Sequence, residues 1–526
     1  MRKIKVLIAV LLVMSMILTA CGGGGEATGG QSDTGGNGSN VTGNVKDTLI
    51  VSFPTDPGNI RFDNITAYTQ PIMFNIIECL YKPNSSGEYE GVLAESYKMD
   101  DDNLGVTIKL KDGVKFHNGD PLKASDVLFS IGIAKTGGFA SNLASININE
   151  SKVVSDNEVY FKFDKVNGVW LEGFIFSPIF SEAAYNATDE TQFWINPVGT
   201  GSYMIDSWNS GSEIKLTRFE EYWDGPAKIK NIIFRIINET SVAMMELQTG
   251  GVDICYSVSN DEINKLRNNP NDKLTIYEQP GTVAHYIGIN NSREHLSDVR
   301  VRQALGYAVD RKALIEGSFD GNAVLNDGIM GPNNTGYTDT YKGDKYLYQY
   351  NPEKAKQLLA EAGYGNGLTL SIVVDDTAVR RSMSEQLYNM FAEVGVTLDI
   401  KQYDFATATD ILNNTTDFDL FLRGIKANTG EIFTSIKAES QYRLCRMSLL
   451  PVDGYKEFND MVIQIETEVD FDKRAALYGE MQEKFIEDWY FWIPTVIPNT
   501  YMIHSSSLDG IDRVHDNIYW NNTYFK

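Results

Sequence analysis

The sequence predicts an α/β protein of layered sheets and helices, and three observations carry that expectation. Strand-like apolar segments recur from residue 48 to residue 402, amphipathic helical patterns lie between them, and 42% hydrophobic with 22% charged residues over 526 positions is a composition that can bury a core. Disorder over the whole chain is excluded, and so is a single small module, since this length allows about two or three domains.

The strand-like segments are Thr48 to Phe53, Val106 to Leu110, Val159 to Phe163, Glu213 to Thr217, Ile229 to Ile237, Leu368 to Val374 and Val396 to Gln402. Asp298 to Tyr307 reads as a capped amphipathic helix, and Asp310 as the N-cap of the next, ended by Gly317. Asn351-Pro352-Glu353 opens another, with Ala355, Leu358, Leu359 and Ala362 on one face and Gly363 as its stop. Pro197 to Gly201 reads as a tight turn between strands. From Asp47 onward there is no low-complexity tract, no repeat of about 20 to 50 residues and no run fit to span a membrane.

The first residues are different in kind. Met1 to Lys5 is basic and Val6 to Leu18 is apolar apart from Ser15, the order of an export signal, and Leu18-Thr19-Ala20-Cys21 resembles a bacterial lipobox. In such signals the Cys21 thiol receives a diacylglyceryl group after residues 1–20 are removed, and two acyl chains suffice for stable anchoring. Ten glycines between Gly22 and Gly43, among polar residues, make residues 21–45 a flexible tether. The expected product is an acidic, extracytoplasmic domain anchored to the outer face of the bacterial cytoplasmic membrane, with 43 positive against 70 negative side chains.

Much chemistry is missing. A net charge of −24 with no basic stripe argues against nucleic acid. Four cysteines without a C-x-x-C pair and five histidines without H-E-x-x-H leave no zinc or disulfide framework, so Cys79, Cys255 and Cys445 are expected as buried free thiols. There is no Gly-Lys dipeptide for a P-loop and no G-x-S-x-G elbow. His117, alone in a turn, reads as structural. No cofactor, metal or catalytic residue is expected, and the chain does not read as an enzyme.

Five separated motifs occur in order: Leu93-Ala94-Glu95-Ser96 leading to Lys109 through Leu122 and Ala124-Ser125-Asp126-Val127; Asn196 through Tyr203 with Tyr222-Trp223; Leu247 through Asp253; Val299-Arg300-Val301-Arg302-Gln303-Ala304-Leu305 with Ala308 through Arg311; and Asn351 to Tyr364. On these the chain resembles the peptide/nickel class of extracellular solute-binding proteins, the receptors of ABC importers. Most of the motif residues are structural: Asp112-Gly113 and Asn118-Gly119 suit turns with positive φ, and Asp126 and Asp310 cap helices.

The resemblance implies a two-lobed, hinged clamshell of the periplasmic-binding-protein type, with an inserted subdomain in the first lobe. The first-lobe core would take 46–80, 195–276 and 495–526, the insert 81–194 and the second lobe 277–494, with crossings near Tyr277 to Pro280 and Ile493 to Thr495. It also implies a monomer that hands a short peptide or similar polar solute to permease subunits driven by cytoplasmic ATPases. Peptide receptors of the family commonly place an Asp, after a Gly-Trp pair, against the peptide ammonium. Here Asn428 stands in that place and Ile425 replaces the Trp, which weakens the peptide reading. Glu431 and Asp404 are alternative carboxylates; Lys426 and Arg423 instead favour an anionic group. Thr55, Asp56 and Asn59, after the first strand, are further candidates by family position. An oligosaccharide, anionic solute or metal chelate on the same scaffold is the alternative, and an exported enzyme or sensor the rival class.

Overall fold

The computed structural model describes residues 46–526 apart from 63–65, 85–87, 138–139, 333, 427–429, 438–444, 447–453 and 515–516. Cys21, the export signal, the tether and Asn428 lie outside the described residues.

The elements that position the site are, in chain order, β1 (Thr48–Phe53), β2 (Ala94–Met99), β3 (Gly105–Leu110), β4 (Ile146–Ser155), β5 (Glu158–Phe163), β6 (Tyr203–Asn209), β7 (Glu213–Arg218), β8 (Asn231–Ile236), β9 (Ile254–Cys255), β10 (Leu274–Pro280) and β11 (Val283–Ile289), then helices α1 (Val299–Ala308) and α2 (Arg311–Phe319). They continue with β12 (Ala323–Leu325), α3 (Pro352–Glu361), β13 (Leu368–Asp375), α4 (Ala378–Glu393), β14 (Val396–Tyr403), α5 (Phe405–Asn414), β15 (Leu420–Lys426), α6 (Tyr455–Thr467), α7 (Phe471–Lys484), β16 (Trp492–Pro494) and β17 (Val496–Ser505).

The first sheet runs β10-β17-β9-β1-β8-β7-β6, with β12 pairing β17 off the path, and the second runs β14-β13-β15-β11-β16. A separate antiparallel sheet, β2-β3-β5-β4, belongs to the insert. Alternation explains β1: Leu49, Val51 and Phe53 are fully buried on one face, where they join the core shared with the insert's Val106, Ile108, Val159 and Phe161. A second core gathers Val169 and residues from Tyr286 to Val496 around β13 and β11. These two large cores, with a smaller cluster of Ala243, Met244, Leu247, Val252 and Ile263 packed on Cys255 and Ile503 of the first sheet, are what a chain of this length needs.

Two connections join the sheets. The chain leaves β10 at Pro280 and enters β11 at Val283, and it returns from Pro494 in β16 to Val496 in β17. The connections are laced together: Thr495 donates to the His285 carbonyl from its N–H (3.1 Å) and hydroxyl (2.8 Å), and Gly281 N–H donates to the Pro498 carbonyl at 2.8 Å.

Two local expectations are corrected. Helix α2 does not stop at Gly317 but continues to Phe319 and ends at Asp320 in the left-handed region (φ 52°). Gly317 serves packing, since a Cβ there would sit 2.7 Å from the Gln386 side chain of α4. Pro197 to Gly201 is not a turn between strands, for it follows the helical turn Glu190–Phe193 and precedes β6. Its glycines allow backbone to press on backbone: a Cβ at Gly199 would meet the Ile76 carbonyl oxygen at 2.1 Å, and one at Gly201 the Asn75 carbonyl oxygen at 2.3 Å. By contrast Gly363 is at φ 95° just past α3, as a helix stop should be.

Candidate functional site

Strand direction alone locates the site. β1 runs parallel to β8 and β9, while β17 is antiparallel to both β9 and β10, so β1, β8, β9 and β10 all point the same way. Their carboxyl ends, Phe53, Ile236, Cys255 and Pro280, lie at the edge from which the chain crosses over. In the second sheet β13, β14 and β15 are parallel and end at Asp375, Tyr403 and Lys426, and Val283 at the start of β11 lies opposite Lys426. Only Gly281 and Thr282 separate the two edges, so both sheets aim their carboxyl ends at the crossover. Open α/β sheets bind ligands beyond those ends, where no strand continues and loops are free to vary.

The floor of the crossover is apolar, a hollow lined by Ala284, Ile329, Met330, Ile425, Ile432 and Ile497. One of its walls is an incomplete strand pair. β13 meets β15 only at Leu420 and Phe421, so from Leu422 to Lys426 the β15 ladder runs to β11 alone.

The sequence candidates distribute unevenly around this space. Arg423, on that stretch of β15, donates from Nη2 to the Thr409 hydroxyl at 2.6 Å and lies 4.9 Å from the ring centroid of Phe405, an aromatic that is 55% exposed. Lys426 is exposed at the end of the same strand. Asp404 is the N-cap of α5, accepting from the Thr407 N–H (3.0 Å) and hydroxyl (2.6 Å), and those bonds hold its carboxyl below the usual range. Glu431 turns inward. It is 1% exposed and takes Arg474 Nε and Nη2 at 2.8 Å each, with the Tyr478 hydroxyl at 3.2 Å.

In the first lobe, Asp56 ties the loop after β1 to the β6–β7 turn. It accepts from Gly58 N–H (2.8 Å), Gly211 N–H (2.6 Å) and Trp208 Nε1 (3.2 Å); burial works to raise its pKa, and these donors outweigh that and lower it. Asn59 accepts from Arg61 N–H at 3.0 Å, and Thr55 is exposed beside them.

A cluster at the end of β13 escaped sequence reasoning. Asp375 pairs with Arg380 in the first turn of α4 and accepts from the Thr377 N–H and hydroxyl. His285, at the start of β11, stacks edge-on against Phe319 at 5.6 Å. Burial, and then the nearby Arg380 charge, push its imidazole down to about 4, so it is neutral at physiological pH. The available signal was an acid at a strand end followed five residues later by an arginine inside the next helix.

The motif residues have a different task. Glu78, buried in the first lobe, accepts from Tyr222 Oη (2.7 Å), Thr200 Oγ1 (2.8 Å) and Trp223 Nε1 (3.0 Å), with its carboxyl raised to about 6 by burial. His117 is half-buried, with Nε2 3.0 Å from the Gly201 carbonyl, and desolvation of its ring lowers its pKa to about 4. Cys79 and Cys255 are buried free thiols, and Cys445 is buried. Among the described residues no group of three or more Cys, His, Asp or Glu is arranged to hold a metal ion, and no helix is long and apolar enough to cross a membrane.

Comparison with known proteins agrees with this geometry. The glutathione-binding protein GsiB of Pectobacterium atrosepticum is 26% identical over 464 residues, covering 85% of this chain and 88% of that one. GsiB of Escherichia coli K12 is 24% identical over 463 residues with the same coverage. HbpA2 from Haemophilus parasuis superposes with a TM-score of 0.81 at 23% identity, over 91% of this chain and 100% of that one. DppA from Helicobacter pylori, in complex with the peptide STSA, superposes at 0.68 with 21% identity, over 91% and 98%. Such structures are two-lobed periplasmic binding proteins, and this chain shares their fold. The sequence profile of the bacterial extracellular solute-binding proteins, family 5, matches residues 88–438, and the chain belongs to that family, the non-enzymatic receptors of ABC importers.

Proposed function

We propose that the cleft at the crossover captures a short peptide or a glutathione-like solute carrying at least one carboxylate, and that the lobes close on it before delivery to a permease. The observation that carries this reading is the stretch of β15 from Leu422 to Ile425, laddered to β11 alone, with Arg423 upon it and Lys426, whose carbonyl accepts from Ser435 Oγ at 2.8 Å, at its end. An extended peptide gains main-chain hydrogen bonds by adding to such an edge, and a guanidinium receives a carboxylate with directed, charge-assisted bonds. The GsiB relatives and the peptide complex of DppA support the same class of cargo. Asp375 and Arg380, at the adjacent strand end, extend the polar rim, whereas the ion pair of Glu431 with Arg474 argues against Glu431 as the ammonium partner.

In this reading the first-lobe core is 46–80, 195–276 and 495–526, the insert 81–194 and the second lobe 277–494, a division supported by the two cores. The protein acts as a monomer tethered through Cys21 outside the membrane. Cys21→Ala releases it into the medium if the anchor is real, and retention in the membrane fraction would refute the anchor. Titration calorimetry with glutathione and with tri- to pentapeptides tests the cargo. Saturable binding that weakens at least about tenfold in Arg423→Ala is expected, and equal affinity for C-terminally amidated peptides would sink the carboxylate assignment.

A further inference from the structure

One segment of the first lobe leaves its own core. After β5 the chain is fixed to the insert, for Asp164 N–H donates to the Ser145 carbonyl at 2.8 Å and Asn167 Nδ2 to the Ser145 hydroxyl at 2.7 Å. Trp170, Leu171 and Phe174 then return to the first core. Between them, Val169 packs into the second core instead, and Gly168 N–H donates to the Glu466 carbonyl at 2.6 Å.

Glu466 sits in the last turn of α6, where helix carbonyls have no partner within the helix. Carbonyls at this helix end are satisfied from different places: Arg474 Nη1 reaches the O of the C-cap residue Glu468 at 2.9 Å from the same lobe, and Gly168 serves Glu466 O from the opposite one. The charges repeat the arrangement. Glu466 Oε1 is 2.8 Å from Lys437 Nζ of its own lobe and 2.6 Å from Lys165 Nζ across the gap, and both cations suit the negative end of the helix dipole. Nearby, Tyr89 of the insert meets Phe471 of α7 edge-on at 6.4 Å. Position 168 leaves no room for a side chain, since a Cβ would sit 1.8 Å from the Glu468 carbonyl oxygen, and backbone cannot swing aside as a side-chain tip can.

We infer that residues 165–169 are a latch: the first lobe supplies the C-cap of α6 in the second, so that part of the free energy of closure resides outside the solute cleft. This deepens the proposed function and rests on the crossover being the solute site. A receptor whose closed form is held partly by its own contacts meets its solute with a smaller conformational penalty, because apparent affinity scales with the competent fraction. Closure and solute choice are thereby set by different residues.

The test compares full-length wild type, Gly168→Ala and Lys165→Met by small-angle scattering without solute, and then by titration with glutathione. Gly168→Ala is expected to expand the solute-free protein and to raise the apparent Kd about tenfold, while Lys165→Met has a weaker effect, about two- to threefold, that shrinks in high salt. Circular dichroism confirms that each variant is folded; if Gly168→Ala is not, Lys165→Met decides. Solute-free scattering profiles that superimpose on wild type for the folded variants overturn the latch. Because that reading needs no solute, a failure of glutathione to bind refutes the cargo assignment and leaves the latch to be judged on scattering alone.

Discussion

The two lobes use their polar side chains differently. In the first, the residues that make the sequence recognisable converge beneath the surface: Tyr222, Trp223 and Thr200 all donate to the buried Glu78, and the Gly199 and Gly201 backbone presses against Asn75 and Ile76. In the second, the residues that face the crossover sit at strand ends with no local signature, and its most buried carboxylate pair, Glu431 with Arg474, lies under the cleft and not in it. If the proposed function holds, the contrast teaches that what identifies this fold and what selects its cargo are separate sets of residues.

The largest expected effect tests that separation inside the cores. Arg474→Ala leaves Glu431 buried without a counter-charge and should cost about 3–5 kcal/mol in urea unfolding. Glu78→Ala leaves three neutral donors without an acceptor, and about 1–3 kcal/mol is expected. Equal costs would erase the distinction between a carboxylate held by a counter-charge and one held by neutral donors.

A pH series sharpens it further. His117 is depressed to about 4 from 6.5, so its contribution is present above pH 6.5 and is lost as pH falls through 4. Glu78 is raised to about 6 from 4.5, so its contribution is full below pH 4.5 and is lost as pH rises through 6. Denaturant titrations at pH 4, 5.5 and 7 should therefore show His117→Gln flattening the acid side and Glu78→Gln flattening the neutral side. Unchanged slopes in both variants would mean that neither group stays buried in its stated protonation state.

The smallest effects belong to the crossover. Arg423→Ala should alter stability by no more than about 0.5 kcal/mol while weakening solute binding. If Asn428 takes the place of the acid that the family resemblance leads one to expect, N-acetylation of a bound peptide should change its affinity only slightly, and a large loss would restore an ammonium pocket to the second lobe.

Legibility followed the same division. Thr48 to Phe53 could be read to the residue, because alternation is a local property and one face of that strand is wholly buried. Gly317 misled because a glycine that admits a neighbouring helix looks, in sequence, like one that ends its own. Glu431 was offered as a cargo partner because nothing nearby announces that Arg474, forty-three positions later, will claim it. The Asp375 and Arg380 pair was missed since its meaning depends on where β13 stops. The position of the cleft follows from pairings such as β1 with β8 and β9, which join residues too distant for any window to see.

The placement of β17 bears on how the protein is made. Although it is synthesised after every strand of the second sheet, it is an inner strand, lying between β10 and β9 and also holding β12. The first sheet therefore cannot be completed during synthesis of its own amino-terminal half. Its exposed edges must wait, vulnerable to mispairing, until the entire intervening lobe has emerged. Folding should in consequence be slow and governed by the carboxyl terminus, and a ribosome stalled before Val496 would hold a nascent chain whose amino-terminal sheet is still unfinished.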